Sequence, residues 1–209
     1  MEMKLLDKFL YVKHCMFHPF DGFYEAKNRG KGSSLVTTVL ISLYCILQCV
    51  DAQYTGFVMN NFNPRMINSV TIFISSLSVL LLFVISNWTI TTLFDGKGKL
   101  KHIYMVLGYS LLPMIIIDSC VVFASNYVIA EEAILLTSLS VMGMVWFVFL
   151  VVAGLCTVHE FSLAKTLVTL LATAVAALII LFLGVLFVSL VEQMVQFMYI
   201  FGKEWMRRI

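Results

Sequence analysis

The chain has 209 residues, of which 61% are hydrophobic and only 12% are charged. Soluble globular proteins carry about 25% charged residues, so this composition excludes a water-facing domain of any size and predicts a membrane protein. The formal net charge of +2 is scattered over short segments, which excludes the basic stripe that a nucleic-acid-binding protein needs. Membrane lipids are therefore expected partners, and nucleic acid is not.

Residues 1–34 form the first predicted segment, on the cytoplasmic side of the membrane. Between residues 3 and 17, apolar side chains alternate with Lys4, Lys8 and Lys13, a pattern typical of an amphipathic helix that lies at the interface over anionic lipids. Pro19 marks the end of that helix. Because the segment contains six Lys or Arg and no small-residue cleavage site follows the first apolar run, we expect that run to be retained rather than removed as a signal peptide.

Five apolar runs follow, and each is predicted to span the bilayer. They are residues 35–50, 70–93, 103–124, 134–158 and 167–191. A hydrocarbon core about 30 Å thick needs about 20 apolar residues of helix, and the first, shorter run is expected to extend through Asp51 towards Tyr54. The predicted fold is an all-α polytopic bundle of five transmembrane helices, with a membrane domain at residues 35–196 and an external amphipathic tail at residues 197–209.

The distribution of basic residues predicts the orientation of this bundle. With the N-terminus in the cytoplasm, ten Lys and Arg lie on the inner side and four on the outer side. The positive-inside rule favours this arrangement, and five spans then place the C-terminus outside. The sequence therefore predicts a multi-pass protein of the cell membrane with a cytoplasmic N-terminus and an extracellular C-terminus.

Polar residues within the second and third runs are candidates for function, because each is costly in hydrocarbon. Asn87 is expected to bridge helices through hydrogen bonds, and Trp88 to lie at a headgroup boundary. Pro113 is expected to kink the third span, since it deprives the carbonyl of Tyr109 of its usual hydrogen bond.

Three carboxylates are predicted at the outer side of the membrane. Asp118 falls in the outer half of the third span, and Asp51 and Glu192 belong to the same side. They are interpreted either as solvated helix ends or as a proton or cation site.

Histidines gather on the predicted inner side, where they are candidates for metal binding. Imidazole and carboxylate groups make zinc sites, but no pair of histidines has the spacing of a ligand motif. His159-Glu160 begins like HExxH, yet Leu163 stands where the second histidine is required. No metal ligand and no cofactor are predicted.

Catalytic signatures are lacking in the sequence. It contains no GxSxG motif, no P-loop and no GxGxxG motif after a strand pattern. Glu131-Glu132 resembles the EExxxR motif of membrane-embedded prenyl-protein proteases, but Leu136 replaces the arginine and the pair falls in an external loop. No catalytic residue is predicted, and the protein is not expected to be an enzyme.

Three motifs, in order along the chain, resemble those of the bacterial branch of the Yip (Ypt-interacting protein) domain family. They are His18-Pro19-Phe20-Asp21-Gly22-Phe23-Tyr24-Glu25 before the first span, the end of the second span from Asn87-Trp88 to Asp95-Gly96, and Tyr109-Ser110-Leu111-Leu112-Pro113 in the third. The likeness covers residues 16–195. The resemblance implies five spans, with the same topology that the charge distribution predicts.

The resemblance also bears on partners. Eukaryotic members of this family are associated with Rab-type GTPases, but the N-terminal region here lacks their long cytoplasmic extension, so GTPase binding is not carried over. Some bacterial relatives accompany carbohydrate ABC transporters, which implies ABC transporter permeases as partners.

The leading hypothesis is a non-enzymatic adaptor, scaffold or accessory subunit for other integral membrane proteins. Its predicted docking face is on the inner side. The face comprises His18, Asp21, Tyr24, Glu25, Asp95, Lys97, Lys101, His159 and Glu160.

Three alternatives accompany this hypothesis. The first is a small transporter or channel-like subunit that uses Asp118 and the Pro113 kink. The second is a metal-dependent enzyme, which requires at least three of His18, His102, His159, Asp95 and Glu160 to converge. The third concerns assembly: small residues four apart, such as Ala172 and Ala176, pack either within the bundle or against a second copy in a homo-oligomer.

Overall fold

In the computed structural model, the described residues, 5–60 and 67–208, form eight α-helices and no strand. The helices are α1 (Leu5–Phe17), α2 (Pro19–Asn28), α3 (Ser34–Tyr54), α4 (Ser69–Leu93), α5 (Leu100–Ser110), α6 (Leu112–Ala124), α7 (Ala133–His159) and α8 (Leu163–Arg208). This architecture confirms the prediction of an all-α membrane bundle.

In the part of the chain that the structure describes, five helical segments are long and apolar enough to cross a membrane: α3, α4, α5 together with α6, α7 and α8. Each begins and ends within a few residues of its predicted apolar run, except at the end of α8. The start of α4 has a local cause, since the Asn68 side chain accepts hydrogen bonds from the backbone N–H groups of Val70 and Thr71. Such a cap satisfies donors that the first helical turn leaves without partners.

The third span is interrupted where a kink is expected. Helix α5 ends at Ser110, and α6 begins at Leu112 with Pro113 in its first turn. Proline is tolerated there because the N–H groups in the first turn of a helix have no carbonyl partner within the helix. The N–H that proline lacks therefore costs no hydrogen bond. The interruption divides this span into two helices, and both contribute to the buried core.

The N-terminal segment forms a hairpin of two helices, α1 and α2, which meet at His18. Pro19 does end the first helix, but it also starts the second, because proline is favoured at the first helical position. The two helices approach closely at Gly22, whose carbonyl accepts a hydrogen bond of 2.5 Å from Tyr11. One face of the hairpin is buried in the bundle through Tyr11, Val12, Cys15, Phe23 and Ala26.

Helix α8 is much longer than a membrane requires. Its 46 residues correspond to a length of about 69 Å. Near its start, Thr166, Thr169 and Thr173 are buried, whereas nearly every side chain after residue 180 is exposed. The predicted external tail, as far as it is described, is the end of this same helix.

Candidate docking site at the basic end

One end of the bundle brings together the end of α2, the loop of residues 94–99 and the loop of residues 160–162. We call it the basic end, after Lys27, Arg29, Lys31, Lys97, Lys99, Lys101 and Lys165. Glu160 joins two of its segments, because its carboxylate accepts hydrogen bonds from Lys27 Nζ at 2.9 Å and from Lys97 Nζ at 2.6 Å. The hydrogen bond from Lys97, followed by that from Lys27, lowers the pKa of Glu160 to about 2.

Two helices end at the basic end in the same way, each with an acidic residue in the left-handed region. Asp95 follows α4 and Glu160 follows α7, and both have φ of 58°. The next residue in each case donates its N–H to a carbonyl five positions back: Gly96 to Thr91 at 2.8 Å, and Phe161 to Cys156 at 3.1 Å. These are Schellman caps. Glycine usually occupies this position, since other residues pay about 1 kcal/mol or more there.

The side chain of His159 fills the space between these caps. It is only 1% exposed, its Nδ1 accepts a hydrogen bond from the N–H of Gly98 at 3.3 Å, and its ring stacks on Phe161. A Cβ atom at Gly98 would lie 2.6 Å from His159 Cε1, and one at Gly96 would also meet this ring. The glycines of the 95–98 turn therefore make room for a buried histidine, which is not on the exposed docking surface.

The remaining predicted docking residues divide into paired and exposed groups. Glu25 accepts hydrogen bonds from Arg29 and Lys31, each at 2.6 Å, and the bond from Lys31 is the main cause of its lowered pKa. Asp95 and Lys101 are exposed at the basic end. Three further residues are exposed along the hairpin: His18, Asp21 and Tyr24.

The residues proposed for a metal centre do not gather into one. Among residues 5–60 and 67–208, no group of three His, Cys, Asp or Glu side chains is placed to hold a metal ion. His102 instead accepts a hydrogen bond from the N–H of Lys99 at the start of α5.

Polar residues inside the spans make contacts between helices. Asn87 Nδ2 donates to Thr173 Oγ1 at 3.0 Å, and this buried contact joins α4 to α8. Tyr109 Oη accepts a hydrogen bond of 2.8 Å from the N–H of Ser33, just before α3. Trp88 is partly exposed on the surface of α4.

The predicted carboxylate cluster is divided between two places. Asp118 is half-buried on α6, close enough to Ser140 and Asp51 for electrostatic interaction. Asp51 in turn accepts a hydrogen bond of 2.6 Å from Thr55. Glu192 lies on the exposed part of α8, and no hydrogen bond within the described chain connects it to the other two.

Sequence reasoning missed two features of this architecture. Lys27 carries no local signal for its contact with Glu160, which is 133 residues away. The buried threonines of α8 do carry a signal, because positions 166, 169 and 173 share one helical face. That spacing indicates a polar seam facing another helix.

Comparisons with known proteins give one match. A family model described as the Yip1 domain matches residues 13–186. No curated protein and no solved structure matches the chain. The matched region includes the second helix of the hairpin, the basic end and most of the five spans.

Proposed function

The chain belongs to the Yip1 domain family of multi-span membrane proteins, and we propose that it acts without catalysis, as an adaptor or accessory subunit for other integral membrane proteins. The observation that carries this proposal is the pair of ion contacts made by Glu160. They connect α2, the 94–99 loop and the end of α7 into one platform. A surface held in its binding conformation loses less entropy when a partner docks.

The docking surface of this platform comprises the side chains that its internal contacts leave exposed. Asp95 and Lys101 present opposite charges at the basic end, and Tyr24 adds an aromatic ring on α2. Opposite charges favour the correct partner and its orientation, and tyrosine is enriched in protein interfaces. Glu25, Lys97 and Glu160 support the surface, and His159 fills its interior.

Permeases of carbohydrate ABC transporters are the partners that we propose, because some bacterial relatives in this family accompany such transporters. The basic end then faces the cytoplasm, as the positive-inside rule favours. Cleavage of a C-terminal epitope tag by a protease added outside intact cells tests this orientation. Protection of that tag, with cleavage only after the cells are opened, would contradict it.

Purification in mild detergent tests the adaptor function. Membrane proteins that copurify with the wild type should be lost from the Lys101→Glu variant, which reverses an exposed charge, and from Asp95→Asn, since asparagine tolerates the left-handed backbone. Lys203→Glu, an equivalent charge reversal on the exposed end of α8, serves as the matched control and should retain them. Recovery of the wild type alone, or equal losses in all three variants, would contradict the proposal.

A transporter function is the second candidate, and the half-buried position of Asp118 within the third span, close to Asp51, favours it. A polar group inside a span is expensive and often marks an ion pathway. Proton flux into vesicles that contain the protein, abolished by Asp118→Asn, would support this candidate. Vesicles that show no flux would oppose it.

A further inference from the structure

One face of α8 is buried near the start of the helix and continues, uncovered, almost to the other end. Thr166, Thr169 and Thr173 are buried on this face, and Thr173 contacts Asn87 of α4. The same alternation of three and four residues continues to residue 201: positions 176 and 180 are half-buried, and every later position is exposed. Residues at this spacing share one side of a helix. The face that holds α8 on the bundle is therefore left uncovered by the described residues as α8 continues past residue 180.

Large apolar side chains occupy the uncovered part of this face. We call the last five of them the free seam: Phe187, Leu190, Met194, Phe197 and Phe201. Each is 56–69% exposed, and the last two rings stack with centroids 6.3 Å apart. The opposite side of the helix carries Glu192, Gln196 and Lys203. An apolar seam at this spacing, with polar residues opposite, is typical of a helix that pairs with another helix.

The free seam extends past the hydrocarbon core of the bilayer. Helix α8 enters the core near Leu167, the first apolar residue after Lys165. Transmembrane helices tilt by up to about 40°, and at that tilt about 26 residues cross a core of about 30 Å. Even the largest tilt therefore brings α8 out of the core at about residue 193. Met194, Phe197 and Phe201 lie beyond that point.

Lipid does not cover the end of the seam while α8 remains one helix. Residues 163–208 form a single α-helix, so the segment beyond the core continues along the axis of the span instead of lying flat on the membrane. The headgroup layer adds about 5–8 Å on each side, which about four to seven residues cross at the same tilt. Phe201 and Trp205 then stand in water, although they are 56% and 62% exposed. Exposed apolar surface of this kind marks a site of protein contact.

We propose that the free seam pairs with the free seam of a second copy of this chain. Two copies in one membrane have the same orientation, so their α8 helices leave it on the same side and pair in parallel about a two-fold axis. Each residue of the seam then faces its own counterpart. No charged residue belongs to the free seam, so identical copies meet without repulsion, and Glu192, Gln196 and Lys203 stay in water.

The area of this contact is sufficient for a specific pair. A phenylalanine side chain buries about 150–250 Å², and the free seam supplies three of them from each copy. Together with Leu190 and Met194, the two seams bury about 1,000 Å² or more, which is the area that a specific interface needs. The proposal is independent of the adaptor function, whose surface lies at the basic end.

Energy transfer between donor-labelled and acceptor-labelled full chains in vesicles measures the association, over a series of lipid-to-protein ratios. In Phe197→Glu/Phe201→Glu, the dissociation constant should rise at least about a hundredfold, because each pair loses four buried rings. Gln196→Glu/Ile200→Glu introduces the same two charges one residue earlier, away from the seam, and is the matched control. It should associate like the wild type. Lys101→Glu should also associate normally, which separates this contact from the adaptor surface.

Disulfide formation in the same vesicles measures the direction of the pairing. Leu190 and Phe197 are seven residues apart, or about 10.5 Å along the helix, and a disulfide needs Cα atoms within about 7 Å. In a parallel pair, Leu190→Cys and Phe197→Cys should each form a disulfide with the same position of the second copy. An antiparallel pair allows this at one of the two positions at most. Gln196→Cys is the control and should form none, and the wild type, whose five cysteines lie outside the free seam, gives the background.

Three results would overturn the proposal. One is a wild type that stays monomeric in vesicles at every lipid-to-protein ratio, which is expected if lipid or another protein covers the seam. Another is an association that Phe197→Glu/Phe201→Glu leaves unchanged. The third is a disulfide yield from Gln196→Cys equal to that from Phe197→Cys, which indicates random collisions.

Discussion

Lys27 near the end of α2 donates a hydrogen bond of 2.9 Å to Glu160, the residue that follows α7. The side chain of Lys27 is 11% exposed, and that of Glu160 is 49% exposed, so the pair lies at the edge of the packed structure. Through it the N-terminal hairpin is joined to the fourth span. Lys97 shares the same carboxylate, and the three side chains therefore act as one network rather than as an isolated surface pair.

Acid should weaken this network over a defined range of pH. The pKa of Glu160 is lowered from 4.5 to about 2, so its stabilising effect is complete above pH 4.5 and is lost as the pH falls towards 2. In detergent, the unfolding temperature of the wild type should decrease over this range. Glu160→Gln should show a smaller decrease, because the titrating group is absent.

The control for this experiment is Glu192→Gln, which changes an exposed carboxylate on α8 and should retain the wild-type dependence on pH. Glu25 also has a lowered pKa, so the Glu160→Gln variant should keep part of the dependence. Identical curves for Glu160→Gln and the wild type would contradict the role of this carboxylate.

The turn at residues 95–98 should tolerate no side chain at Gly98. A Cβ atom there would lie 2.6 Å from His159 Cε1 and 2.7 Å from Val158 Cγ1. We expect Gly98→Ala to lower the free energy of unfolding by about 1–3 kcal/mol, as overpacking does in other cores. Chemical denaturation in detergent measures this change.

Gly202→Ala is the matched control for Gly98→Ala, since nothing lies within 4 Å of a Cβ atom at Gly202. Alanine is the better helix former by about 0.5–1 kcal/mol, so this variant should be as stable as the wild type or slightly more stable. Equal stability of the two alanine variants would show that the ring of His159 moves aside.

The five spans could be predicted from the sequence, but the contacts at the basic end could not, for physical reasons. A run of about 20 apolar residues has few alternatives to a membrane helix, and Pro113 disrupts a helix wherever it stands in the interior. Pro19 is different, because proline both ends an incoming helix and starts an outgoing one. Its second effect, which produces α2, depends on the packing of Phe23 and Ala26 against the bundle.

The ion pair of Lys27 with Glu160 shows why the contacts at the basic end could not be predicted from the sequence. A lysine in a short polar segment has the same sequence pattern whether it is solvated or paired, and only the fold brings residues 133 positions apart into contact. Closely spaced glycines such as Gly96 and Gly98 are typical of a turn. Their close approach to His159 required the structure.

Gly108 permits a close contact between α3 and α5. A Cβ atom at this position would lie 2.5 Å from Thr37 Cγ2. Gly108→Ala should therefore cost about 1–3 kcal/mol of unfolding free energy despite the better helix propensity of alanine. Adding Thr37→Ser should restore part of the loss, because serine lacks the obstructing methyl group and keeps the hydroxyl that donates to the Ser33 carbonyl at 3.1 Å.

Chemical denaturation of both single variants and of the double variant measures this compensation. The control is Gly184→Ala on α8, where nothing lies within 4 Å of the added Cβ atom. If Thr37→Ser destabilises the wild type and the Gly108→Ala variant equally, the methyl group of Thr37 is not the obstacle.

The hydrogen bond from Asn87 to Thr173 should contribute to holding α8 on the bundle. Both side chains are buried, and the bond of 3.0 Å joins α4 to α8. In a double-mutant cycle with Asn87→Ala and Thr173→Val, we expect a coupling energy of about 0.6 kcal/mol, the mean for hydrogen bonds between membrane helices. Thr173 also donates to the Thr169 carbonyl at 2.7 Å, which the valine variant removes in both backgrounds, so the cycle isolates the contact between helices. A coupling energy of zero would mean that this hydrogen bond does not help to hold α8 against α4.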